Sequence, residues 1–128
     1  MLEQAVVAVI DDDESVRKAL ASLLRSLGIT VATFGAASEF LDSPRRAEMA
    51  CLIVDVQMPG IDGLELQERL IALGQRIPII FITAYPDAKL RDRALAAGAA
   101  AFLGKPFAAQ ELIRCTEDAL RTAGTHGA

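Results

Sequence analysis

The sequence predicts an α/β fold: a doubly wound, five-stranded parallel sheet with helices on both faces. Three observations predict it. Short apolar runs recur at residues 6–10, 29–34, 51–54, 79–82 and 101–103. The segments between them carry helical periodicity, and strands alternating with helices of this length imply parallel βαβ units. Finally, runs such as PIIFI are apolar throughout, as a strand must be when both its faces are buried.

The first run ends in three consecutive aspartates, Asp11, Asp12 and Asp13. Residues 13–27 then give the clearest helix. Val16, Leu20, Leu23, Leu24 and Leu27 recur at helical spacing and fall on one face. Asp13 is its expected N-cap and Gly28 its left-handed stop. The second run ends at Phe34-Gly35 with nothing polar, as an edge strand would, and residues 38–41 form a shorter helix. Residues 63–73 place Leu66, Leu70 and Leu73 on one side before Gly74. Residues 88–97 follow Asp87 as a cap and stop at Gly98. The last helix, residues 109–120, turns Leu112, Ile113, Thr116 and Leu120 inward. The expected domain spans residues 1–121, with 122–128 a flexible tail that contains a solvent-exposed His126.

Composition narrows the function. A chain of 128 residues fits one domain and buries roughly two-thirds of its unfolded surface without staples. Its 52% hydrophobic and 23% charged residues are an ordinary soluble mixture. The net charge of −4, with no Lys/Arg run, argues against direct nucleic-acid binding by this chain. Cys51 and Cys115 match no metal or redox spacing, and Cys51 opens an apolar run as a small buried hydrophobe. A reduced, cytoplasmic protein is the expectation. The start, MLEQAVVAVIDDD, carries Glu3 where a signal peptide would carry Lys or Arg. Its apolar run stops at Asp11, far short of the roughly 20 residues of a membrane span.

In an open doubly wound sheet, ligands bind beyond the carboxyl ends of the strands, where strand order reverses. The residues that follow the runs are therefore the informative ones: Asp11 to Asp13 after the first, Asp55 after the third, Thr83 after the fourth and Lys105 after the fifth. Taken singly, each has an ordinary reading. Aspartates at a helix start are commonly caps favoured by the helix dipole, and Thr83 is an unremarkable strand-end hydroxyl. Together they set three carboxylates (Asp11, Asp12, Asp55), a hydroxyl and an ammonium on one rim. Carboxylates so close need a counter-charge. Lys105 supplies one positive charge and a divalent cation the remainder. Oxygen-only ligands select Mg²⁺ or Mn²⁺. Mg²⁺ takes one or two protein carboxylates and shares a phosphate oxygen, which points to phosphoryl chemistry.

The stretches VIDDDESVRKAL, DVQMPGIDGLEL, IIFITA and GAAAFLGKPF, in that order, resemble the response-regulator receiver domain of two-component systems from about residue 5 to 120. SVRKAL and LGKPF are most similar to FixJ-type receivers, whose output is usually a LuxR-like DNA-binding domain. The resemblance implies a flavodoxin-like (βα)5 fold with strand order 2-1-3-4-5. It implies that Asp55 accepts a phosphoryl group from a histidine kinase or phosphotransfer protein, and that the resulting switch controls an output domain or partner. Asp12 and Asp55 match the direct Mg²⁺ ligands, Gln57 the backbone carbonyl that completes the shell, and Asp11 the acid acting through water. Thr83 matches the hydroxyl that bonds the phosphoryl group and Lys105 the lysine that pairs with it. Lys105-Pro106 matches a cis bond. Phe102 falls at the aromatic position that changes rotamer, so Thr83, Phe102 and Tyr85 form the implied switch.

The kinase would dock near Ser15, Val16 and Phe107. A homodimer would use the face of the fourth helix, fifth strand and fifth helix, which carries Lys89, Arg91, Asp92, Arg93, Glu111 and Asp118. Four positions depart from the family pattern. Asp13 stands where Glu is frequent, Phe102 where Tyr is familiar, and Gly104 where a bulkier residue is frequent. Tyr85-Pro86 is stiffer and larger than the expected Gly-containing loop, and it sets Tyr85 where it bears on access of water to the acceptor. Two other readings stay open. A Mg²⁺-dependent phosphatase of the haloacid-dehalogenase type needs a second acid two residues after its nucleophile. Asp55 is instead followed by Val56 and Gln57, and Asp13, two after Asp11, lacks the Thr expected next. A receiver that binds partners without phosphorylation is the other.

Overall fold

Each apolar run becomes a strand of one parallel sheet. A computed structural model describes residues 5–127, with side chains described through Arg121. In chain order the elements are β1 (Val6–Ile10), α1 (Glu14–Arg25), β2 (Thr30–Phe34), α2 (Ala37–Leu41), a 3₁₀ turn (Arg46–Glu48), β3 (Met49–Asp55), α3 (Gly63–Ala72), β4 (Ile79–Thr83), α4 (Ala88–Ala96), β5 (Ala101–Gly104) and α5 (Ala109–Gly127). The sheet order is β2-β1-β3-β4-β5, with every pair parallel.

Because side chains alternate across a strand, the apolar runs feed two separate cores. Val7, Val9, Cys51, Ile53, Ile80 and Ile82 pack with Leu20, Leu24, Leu112 and Leu120 of α1 and α5. Ala8, Ile10, Leu52, Val54 and Phe81 pack with Phe40, Leu66, Leu70 and Ala94 on the other face. This is why β1, β3 and β4 read as unbroken apolar sequence: both their faces are covered.

The caps expected at Asp13 and Asp87 are present, and Asp62 adds one for α3. The Asp13 carboxylate accepts from the Ser15 and Val16 amides, Asp62 from Glu65, and Asp87 from Lys89. Gly28, Gly74 and Gly98 take positive φ in the closing turns two or three residues after α1, α3 and α4 end. Two expected core residues are not in the core. Leu27 and Leu73 are 46% and 55% exposed. Helices α1 and α3 end before them, so the 3.6-residue stripe does not carry through the closing turn. Ala21 is buried in the face the leucines define. The backbone of α5 runs to Gly127, past the end expected at Leu120. No proline interrupts that stretch, and its glycines weaken a helix without removing a donor. His126 and the other side chains after Arg121 lie outside the described residues. No helix among the described residues is long and apolar enough to cross a membrane.

The fold positions the site through the strand order. The chain moves outward from β1 to β2 on one side and through β3, β4 and β5 on the other, so the reversal lies between β1 and β3. Asp11 directly follows β1, and Asp55 ends β3. Thr83 ends β4 and pairs in register with Gly104, the residue before Lys105.

Candidate functional site

Helix α3 starts close against the end of β3. A Cβ on Gly63 would lie 2.8 Å from the Asp55 carbonyl oxygen and 3.0 Å from the Val56 Cα. Only glycine permits that approach, which the Gly63 amide secures by donating to the Val56 carbonyl at 2.9 Å. The end of β3 is thereby held between the sheet and the first turn of α3.

Asp11, Asp12 and Asp55 each offer a carboxylate oxygen within 4.8 Å of the other two. Asp11 is fully buried, Asp55 is 7% exposed, and Asp12 opens to solvent. One oxygen of Asp11, Oδ1, accepts the Asp13 amide at 2.9 Å. The other, Oδ2, is buried without a hydrogen-bond donor among the described residues. Lys105 Nζ stands 3.8 Å from it, too long for a hydrogen bond but close enough for charge. Asp55 Oδ1 accepts the Gln57 amide at 3.2 Å. An orphaned buried oxygen among three oxygen-only ligands is what a small hard cation would satisfy, so these residues fit Mg²⁺.

Burial pushes the Asp55 carboxyl up to about 6, helped by the negative Asp11 and opposed by Lys105 and the Gln57 amide. Burial also raises Asp11, against the Asp13 amide and Lys105. Desolvation disfavours the charged form of each. Near neutral pH Asp55 is still mostly ionised.

Thr83 is fully buried at the end of β4. Its Oγ1 accepts the Tyr85 amide at 3.0 Å and donates to the Gln57 side-chain carbonyl. The Lys105 amide donates to the Thr83 carbonyl at 2.7 Å, tying the β5 end to the β4 end. Lys105-Pro106 is cis. Phe102 is half-buried, with its ring centroid 6.4 Å from that of its register partner Phe81. Tyr85 is 73% exposed and meets the site through its backbone amide.

The structure thus brings Asp11, Asp12, Asp55, Gln57, Thr83 and Lys105 to one rim. Lys105, expected as counter-charge to the acids, pairs with Asp11 in particular. Sequence reasoning missed two things there. The Gln57 side chain engages Thr83, whereas the resemblance had drawn attention to its backbone. Arg17 donates to the Asp11 carbonyl at 2.7 Å from α1, steadying the acid loop. Two departures from the family pattern also explain each other. A Cβ on Gly104 would come within 3.0 and 3.1 Å of Pro86 ring atoms, so the stiff Tyr85-Pro86 loop and the small residue on β5 fit as a pair.

On the implied dimer face, Arg93 is already engaged with Glu68 of α3 at 3.1 Å, and Asp118 pairs with Arg121.

Residues 7–117 match the family model of the response regulator receiver domain. The response regulator protein TodT of Pseudomonas putida is 44% identical over 119 residues, 93% of this chain and 52% of TodT. The transcriptional regulatory protein FixJ of Azorhizobium caulinodans is 40% identical over 127 residues, 99% of this chain and 60% of FixJ. The chain therefore spans about half the length of the curated relatives it matches. Among solved structures, the response regulator StyR superposes with a TM-score of 0.90 at 46% identity, over 96% of this chain and 62% of StyR. The FixJ-N structure does so with 0.82 at 34% identity, over 91% of this chain and 94% of its own.

Proposed function

The chain belongs to the response regulator receiver domain family, and from that premise we propose that residues 1–121 form a phosphoacceptor whose nucleophile is Asp55. The observation that carries this reading is the convergence of the Asp11, Asp12 and Asp55 carboxylates beside Lys105 and Thr83. The donor is the phosphohistidine of a histidine kinase or phosphotransfer protein. An Asp55 carboxylate oxygen attacks phosphorus, the P–N bond breaks with its electron pair leaving on the imidazole, and an acyl phosphate forms.

Phosphoryl transfer asks the protein chiefly for alignment and charge neutralisation. Asp12, Asp55 and the Gln57 backbone carbonyl would hold Mg²⁺, with Asp11 acting through water, and the ion would neutralise charge on the phosphoryl oxygens. Lys105 exchanges its Asp11 partner for a phosphoryl oxygen, and the Thr83 hydroxyl donates to another. Asp11, buried and orphaned at Oδ2, keeps Lys105 close to its point of use until then. The phosphatase reading loses ground because no second acid follows Asp55 at the required spacing.

Signalling then follows from repacking. Inward movement of Thr83 leaves room for Phe102, which has no hydroxyl and is held by packing alone. Reversing a 1:99 population needs about 5.5 kcal/mol, and charge-assisted hydrogen bonds contribute roughly 1.5–3 kcal/mol each. Two or three new bonds at the phosphoryl group suffice. Recipients of the signal are an output domain, transcriptional where it resembles that of FixJ, or a second copy docked through α4, β5 and α5. Lys89, Arg91, Asp92 and Glu111 are exposed on that face. The chain acts in the cytoplasm, where kinases of this class present their phosphohistidine.

Incubation with acetyl phosphate and Mg²⁺, read by intact mass, tests the reading. One phosphoryl mass should appear on the wild type and vanish in Asp55→Asn. Equal labelling of both variants, or none of either, would remove Asp55 from its role and favour a partner-binding module that works without phosphate.

A further inference from the structure

The Thr83 hydroxyl has one proton to give. In this structure that proton goes to Gln57 Oε1, while the oxygen's acceptor side is taken by the Tyr85 amide at 3.0 Å. A hydroxyl carries one donor and no more. A phosphoryl group on Asp55 offers only acceptors, so it can bond Thr83 only if the hydroxyl turns its one hydrogen away from Gln57. The two bonds exclude each other. The contact spans 26 residues of sequence and joins the loop after β3 to the end of β4. Thr83 is fully buried, so water does not offer the hydroxyl an alternative acceptor. Gln57 is exposed, so its carboxamide meets water once released.

We propose that the Gln57 side chain is a latch on Thr83, a positioning residue that holds the hydroxyl in its resting direction and competes with an acceptor group at Asp55. This rests on the phosphoacceptor reading and adds to it a regulatory role for a side chain. The latch biases the resting state: every anion that engages Thr83 must first displace Gln57. Its release also frees Thr83 to move as a unit with the Tyr85-Pro86 loop, because the Tyr85 amide stays bonded to Oγ1. The strength of the latch therefore sets how readily the pocket passes into its engaged form.

The probe is beryllofluoride with Mg²⁺, a phosphoryl mimic with acceptor fluorines, and the readout is its apparent affinity by NMR titration of the whole chain. Gln57→Met keeps the side-chain length and removes the acceptor. It should tighten binding about three- to tenfold, the worth of one lost competing hydrogen bond. The same substitution in a Thr83→Val background should change nothing, because there is no hydroxyl to latch. That coupling is what a merely steric or water-access role for residue 57 would not produce. Thr83→Ala serves as a second background should Val perturb the buried site. Unchanged or weaker binding by Gln57→Met, or equal effects with and without the hydroxyl, overturns the latch while leaving the phosphoacceptor intact. Failure of every variant, wild type included, to bind the probe overturns the phosphoacceptor reading and the latch with it.

Discussion

Replacing Asp55 by Asn should stabilise the metal-free protein at neutral pH, although it removes the proposed nucleophile. Burial, reinforced by Asp11, raises the Asp55 carboxyl from 3.8 to about 6 in the folded chain. Between about pH 4 and 6 the folded state therefore binds more protons than the unfolded state, so stability falls as pH rises through that window. Above it the ionised carboxylate destabilises the fold. The gap, at about 1.4 kcal/mol per pH unit, sets an upper limit of about 3 kcal/mol. Asn is nearly isosteric, carries no charge, and its oxygen can still accept the Gln57 amide that Asp55 now accepts at 3.2 Å. For a chain of this size about 1 kcal/mol corresponds to roughly 4 °C. A rise of up to about 12 °C is therefore expected at pH 7.5. The assay is thermal melting by circular dichroism in chelator-treated buffer from pH 4 to 8. The two curves should converge near pH 4, where the wild-type carboxyl is protonated, and separate as pH rises. An Asn variant that melts at or below the wild type at pH 7.5, or a difference independent of pH, would refute the claim that a strained carboxylate is stored at this site. Added Mg²⁺ should raise the wild-type midpoint by mass action and move that of the Asn variant less, since one proposed ligand is gone.

Gly104→Ala should cost about 1–3 kcal/mol through its clash with the Pro86 ring. Adding Pro86→Ala should restore most of that loss, measured by urea unfolding, and additivity of the two changes would show that the residues do not share a contact. Gln67→Leu should cost about 1–3 kcal/mol, because the buried Gln67 amide donates to the Ala94 carbonyl at 3.1 Å near the end of α4. Hydrogen exchange should quicken chiefly in α4, whose only fully buried side chain is Ala94.

Much of this molecule is local in origin. The strands show in the sequence because apolar runs covered on both faces leave no polar positions. The caps at Asp13 and Asp87 show because each carboxylate serves amides within three residues. The acids and the lysine show because they lie at or just past strand ends, and a parallel sheet collects such positions on one rim. Family resemblance added the roles proposed for Asp55 and Thr83.

Tertiary structure alone decided which groups on that rim hold each other. Lys105 faces Asp11 across separate loops, and Thr83 gives its proton to a side chain 26 residues earlier. Gly104 is small because Pro86 leans on it from the neighbouring loop. Leu27 and Leu73 continue an inward pattern yet face solvent, because the point where a helix stops is set by its surroundings as well as its period. Periodicity and strand ends report what a residue does for its own segment. Charge pairing, proton direction and close contact depend on distances between segments, and those exist only once the sheet has assembled.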